Sequence, residues 1–121
     1  MTPKEQQIID TLIIAIKGCN LIEFKYDDEY ITLEPYLIGE LYNIHQNHLE
    51  EGTFALRGWF VSGFSSQPVD IKQCDRWRIY HLKKIVELEI LEETNKMVRP
   101  LYNPDDKDFK RINFRVAIKQ K

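Results

Sequence analysis

Helical periodicity occurs once in this chain, at its start, and the remainder repeats with a period of two. Ile8, Ile9, Leu12, Ile13 and Ile16 fall three and four residues apart and trace one face of a helix. Thr2 stands at the N-cap, Pro3 suits the first helical position, and Glu5, three residues after the cap, completes a capping box. Gly18 supplies the stop. Beyond it, LIEFKY (21–26) sets Ile22, Phe24 and Tyr26 against Glu23 and Lys25. Successive strand residues point to opposite faces, so such a segment buries one face and wets the other.

The same reading gives strands at 30–39, 54–64, 76–82 and 84–91, with Val86, Leu88 and Ile90 alternating against Glu87 and Glu89 in the last of these. Asp27–Glu29 is a tight acidic turn, and a short strand at LYNIH (41–45) is one option for the polar stretch after Gly39. Pro35 cannot donate to a ladder, which assigns it to an edge or a bend. Gly58 and Gly63 suggest local bulges. RPLYNPDDKD (99–108) carries turn chemistry and reads as a linker over the surface. RINFRVAIK (111–119) then alternates Ile112, Phe114, Val116 and Ile118 against Arg111, Asn113, Arg115 and Lys119. One helix followed by short strands at this spacing predicts a mainly β protein, a small and strongly bent barrel with a C-terminal strand extension. The division is 1–93 for helix and barrel, and 94–121 for linker and extension.

At 121 residues the chain is long enough to bury a core without staples. Its net charge of −2 gives no global reason to bind nucleic acid or membrane, so any polyanion site must come from local segregation of charge. Cys19 and Cys74 form no spaced pair and read as reduced thiols. The start is not that of a signal peptide, and LIIAI (12–16) is too short to span a bilayer, so the expected compartment is the cytoplasm.

The segregated charge lies in RWRIYHLKK (76–84), which holds Arg76, Arg78, Lys83 and Lys84, plus His81, and no carboxylate. On a strand, Arg76, Arg78 and Tyr80 share one face while Trp77 and Ile79 take the other and can enter the core. Two guanidinium forks about 7 Å apart beside a tyrosine ring suit a phosphate and a base. Arg57, on the preceding strand, is a third candidate cation. The competing reading is a solvated strand whose charges pair with Glu34, Glu87 or Glu89 across the sheet.

The other constellations are weaker. His45 and His48 lack further placed zinc ligands. The SGFSS run (62–66) lacks the closing glycine of a nucleophile elbow, and Cys74 has no histidine or asparagine placed to activate it. The acidic pairs lie in turns or at strand ends. No catalytic residue, metal or cofactor is assigned, and the chain is expected not to be an enzyme.

AIKGCNLIEFKY, LEPYLIG, FALRGWFVSGFS and RWRIYHLKKIVELEIL taken together resemble a WYL domain, over roughly residues 8–93. WYL domains are small Sm-like (SH3-like) barrels often attached to bacterial transcription regulators. Residues 99–119 resemble the short extension after the barrel of compact members. The name-giving tripeptide reads Phe54-Ala55-Leu56 or Trp59-Phe60-Val61 here, depending on register. The resemblance implies a ligand-sensing module with a basic and aromatic pocket for single-stranded nucleic acid or a nucleotide. That pocket would be formed by Tyr26, Arg57, Arg76 and Arg78, with Lys83 or Lys84 at its edge. Tyr80 joins it from the alternation argument above. No DNA-reading helix-turn-helix fits before the barrel, so operator binding would need a separate regulator.

The tail from Lys110 to Lys121 has five cations and no acid. It is either an electrostatic arm for a nucleic-acid backbone or, as its regular alternation favours, a packed strand, on its own barrel or on a second copy in a homodimer. The alternative function is accordingly a protein-interaction or dimerisation module without a nucleic-acid ligand.

Overall fold

The computed structural model describes residues 2–42, 53–63 and 76–116. Helix α1 (Pro3–Gly18) opens on the capping box that the sequence predicts: the Thr2 hydroxyl accepts from the Glu5 amide at 3.1 Å, and the Thr2 amide donates to Glu5 Oε1 at 3.2 Å. Its buried stripe is Ile8, Ile9, Leu12, Ala15 and Ile16. The left-handed residue that ends the helix is Cys19 (φ 58°), not Gly18. A non-glycine residue in that conformation costs roughly 1–2 kcal/mol. Gly18 is needed for space instead, because a Cβ there would collide with the side chain of Asn20, which donates to the Leu91 carbonyl at 2.8 Å.

Among the described residues six antiparallel strands come after the helix: β1 (Asn20–Tyr26), β2 (Glu29–Leu41), β3 (Phe54–Gly63), β4 (Trp77–His81), β5 (Val86–Thr94) and β6 (Phe109–Arg115). Asp27 and Asp28 both have positive φ, which gives the β1–β2 hairpin a two-residue turn twisted to suit the strands. The strand order is β4-β3-β2-β1-β5, and β6 also pairs with β2.

Pro35 explains how β2 serves three partners. β3 runs beside β2 along one edge over most of its length. On the other edge β1 reaches as far as Leu33, and β6 takes over at Leu37. The proline falls between the two, where the register with β3 also slips. Its missing N–H therefore coincides with a change of neighbour, although β2 is a central strand.

The expected barrel is corrected in one respect. Hydrogen bonds do not close the sheet, since β4 and β5 stand at opposite ends of the strand order and do not pair. A 3-10 turn, Leu82–Lys84, joins them. Leu82, in that turn, and Ile85, just after it, are fully buried, which anchors a corner in the core where a hairpin would have continued the ladder.

Both faces of the sheet are covered. On one, the α1 stripe packs on Ile22, Phe24, Ile31, Leu33, Ile38, Leu56, Phe60, Tyr80, Leu82 and Ile85. On the other, Tyr36, Leu37, Ala55 and Trp59 meet Tyr102 and Phe109 from the C-terminal segment, with Trp77 and Ile79 partly buried against them. The 99–108 stretch is thus a strap that supplies core. No helix among the described residues is long and apolar enough to cross a membrane.

Candidate functional site

The register of β3 against β4 fixes where the basic residues lie. Leu56 pairs with Tyr80, Gly58 with Arg78, and Trp59 with Trp77. Arg76, Arg78 and Tyr80 do share a face, and it is the one that carries the α1 core. Tyr80 belongs to that core at 7% exposure. Its ring meets Tyr26 edge-on at 4.9 Å and Phe24 at 5.1 Å. Burial pushes the Tyr80 phenol up to about 12, against the nearby charge of Arg78.

The two arginines differ in how far they are satisfied. Arg76 donates from Nε to the Phe60 carbonyl at 2.9 Å and from Nη2 to the Val61 carbonyl at 3.2 Å, with its guanidinium over the Phe60 ring. Arg78 donates only from Nη1, to the carbonyl of the preceding residue, Trp77, at 2.9 Å. Its Nε and Nη2 are buried and have no acceptor among the described residues. Gly58, opposite, adds no side chain to that spot.

Tyr26 and Lys84 complete this side. The Tyr26 hydroxyl accepts from the His81 amide at 3.1 Å, and Lys84 Nζ lies 5.1 Å from the Tyr26 ring centre and 3.2 Å from Asp27. The hydrogen bond to Asp27 raises the Lys84 pKa, while burial, followed by the charge of Lys84, lowers that of His81. Lys83 is exposed on the same turn, without an ion pair among the described residues. Arg78, Tyr80, Tyr26 and Lys84 therefore form one cation-rich, aromatic neighbourhood around the end of β4.

Arg57 is elsewhere. Its register partner is Ile79, so its side chain belongs to the opposite face. There Nε meets Asp106 at 2.7 Å and Nη2 meets Asp108 at 2.5 Å, and only 18% of the side chain is exposed. A cleft of about 290 Å³ opens beside it, lined by Arg57, Trp77, Leu101, Tyr102, Asn103 and Asp106. The strap thus already supplies Arg57 with carboxylates.

The partners of one polar centre, Glu34, escape sequence reasoning. Glu34, 5% exposed, receives Arg99 Nη2 at 2.6 Å and Asn95 Nδ2 at 3.2 Å, while the Tyr36 hydroxyl accepts the Arg99 amide at 3.0 Å. Arg99 also lies over the Trp59 ring. These contacts span more than sixty positions of chain, and the only local hint is an isolated glutamate inside an apolar run. They pin the start of the strap to β2.

His45, His48, Ser65 and Cys74 lie outside the described residues. Among the described residues no group of three or more His, Cys, Asp or Glu is placed to hold a metal ion. No protein-family model, no curated protein and no solved structure matches the chain.

Proposed function

We propose that this protein is a non-enzymatic, ligand-sensing module of the WYL type, which takes an anionic ligand, single-stranded nucleic acid or a nucleotide, at the Arg78 end of β4. The observation that carries the reading is the state of Arg78: a guanidinium with two buried N–H-bearing nitrogens lacking an acceptor among the described residues. A buried donor left unmet costs free energy that an incoming phosphate oxygen would recover once the Arg78 side chain turns outward to meet it, both nitrogens being closed to solvent in the free protein. Tyr26 supplies a ring beside Tyr80, and Lys83 supplies long-range attraction at the rim, Lys84 being paired with Asp27. Arg57 and Arg76 contribute less, since carboxylates and carbonyls already hold them. The order β4-β3-β2-β1-β5, with one 3-10 turn joining the outer strands, supports treating the bent sheet as Sm-like or SH3-like.

Fluorescence anisotropy with short labelled single-stranded DNA and RNA, at low and high salt, tests the proposal. Binding that falls steeply with salt and is lost in Arg78→Met, yet persists in Arg57→Ala, is the expected result, because phosphate contacts release counterions. Absence of binding by the wild type at low salt would leave the interaction-module reading, which the neutralisation of Arg57 by Asp106 and Asp108 favours.

A further inference from the structure

Three strand edges have no neighbour among the described residues; that of β4 carries no exposed residue, and those of β5 and β6 carry opposite charge. β5 pairs only with β1, and β6 only with β2. Along β5, Glu87, Glu89, Glu92 and Glu93 are exposed. Glu89 stands directly across from Glu23 of β1, an arrangement of like charges that destabilises a sheet. Among the described residues no cation comes within ion-pair reach of Glu23 or Glu89, for Lys25 reaches Glu87 instead, at 3.8 Å. With Tyr30 and Glu87 they border an open groove of about 340 Å³. Val86 and Ile90 are exposed on the same strand. Along β6, Lys110 and Arg111 are exposed and have no carboxylate in reach among the described residues, whereas Arg115 is held by Asp105 at 3.1 Å.

We infer that a second copy of this chain docks its β6 along the β5 edge, and that the two copies exchange this contact reciprocally about a twofold axis. An unpaired edge offers a row of N–H and C=O groups that an added strand completes. Charge selects which strand. β5 against β5 would set glutamates against glutamates, and β6 against β6 would set cations against cations. β5 against β6 brings Lys110 and Arg111 toward Glu89 and Glu92 and relieves the Glu23–Glu89 repulsion. Both edges lie on the side of β2 away from β3, β6 replacing β1 along the second half of that strand. One twofold operation therefore satisfies both contacts, as an isologous interface requires.

Sedimentation velocity on the full chain, at a loading of about 100 µM and at low and high salt, reads this out. The wild type is expected to sediment as a dimer that salt dissociates. Glu89→Lys with Glu92→Lys, and separately Lys110→Glu with Arg111→Glu, each give a monomer. An equimolar mixture of the two variants regains the dimer, because in the mixed dimer one contact pairs the swapped charges and the other pairs an unchanged β6 with an unchanged β5; the mixture therefore sediments as the wild-type dimer does. The milder pair Glu89→Gln and Glu92→Gln weakens the dimer by about tenfold and serves if a reversed variant fails to fold. A wild type that stays monomeric at low salt overturns the inference and leaves the glutamates as guards of a bare edge. So does a dimer that every variant leaves intact. The chain carrying all four reversals restores both contacts at once, and its failure to dimerise while keeping the wild-type circular dichroism overturns the inference as well.

Discussion

Replacing Arg78 with methionine is expected to make the free protein more stable while removing the anion binding proposed above. The guanidinium keeps one hydrogen bond, Nη1 to the Trp77 carbonyl at 2.9 Å, and leaves Nε and Nη2 buried without acceptors among the described residues. Each unmet buried donor costs about 1–3 kcal/mol. Arg78 as a whole is only half-buried, so the low end applies, about 2 kcal/mol for the two donors. The bond to Trp77 that methionine forfeits is worth about 1 kcal/mol. Methionine has a stem of similar length and adapts its packing to irregular surroundings. The net is a gain of about 1 kcal/mol, which for a chain of this length raises Tm by roughly 4 °C. Urea unfolding monitored by tryptophan fluorescence and circular dichroism measures it, as a shift of midpoint at constant slope. A variant destabilised by about 1 kcal/mol or more would refute the reasoning, since it would show that the guanidinium is well satisfied and structural. A stabilised variant that still binds oligonucleotide would separate the strain from the function and remove Arg78 from the site.

Three further sites give measurable outcomes, and the tyrosines a fourth. Arg99→Met strips Glu34, 5% exposed, of its guanidinium; because Arg99 itself is partly exposed, the expected loss is about 2 kcal/mol rather than the roughly 3–5 kcal/mol of a wholly buried pair, and a double-mutant cycle with Glu34→Gln checks it. Gly39→Ala places a Cβ against the Arg111 backbone carbonyl across β6 and should cost about 1–3 kcal/mol, visible as lost amide protection in 109–115. His81 has a pKa lowered by burial, so the unfolded chain takes up its proton first. Stability tied to His81 is present above the unfolded pKa and declines as pH falls from about 6.5, and His81→Gln should flatten the urea midpoint over that range. Tyr36, Tyr80 and Tyr102 have phenols raised to about 12 by burial, so the stability they contribute below about pH 10 drains away as pH climbs from the unfolded value towards 12. Absorbance at alkaline pH and unfolding should therefore rise together.

Helix α1 is legible in the sequence because cap, apolar spacing and stop agree over one short stretch, and the strands are legible through alternation. Alternation says which side chains share a face, but not which face is wet. Here both are covered, one by α1 and the other by the strap, so Arg76 and Arg78 sit on the helix side with Tyr80, while Trp77 and Ile79 pack opposite. In β5 the expected apolar face is only partly realised. Leu88 is half-buried, but Val86 and Ile90 are 39% and 37% exposed, because Glu87 takes a positive φ where the register with β1 shifts. The carboxylates on Arg57 come from residues 49 and 51 positions away, inside a run whose local chemistry signals only a turn. Local pattern has no access to pairings of that range.

The handover at Pro35 orders the assembly of the molecule. The β1–β2 hairpin can form from neighbouring segments and β3 can join it from nearby, but the far half of β2 waits for residues that lie some seventy positions later in the chain. Closing that loop is slow in entropic terms and is repaid only once Leu37 to Leu41 already present a ready ladder. The C-terminal strand is thus the last piece to settle and the first to leave, detachable without unzipping the meander it leans on.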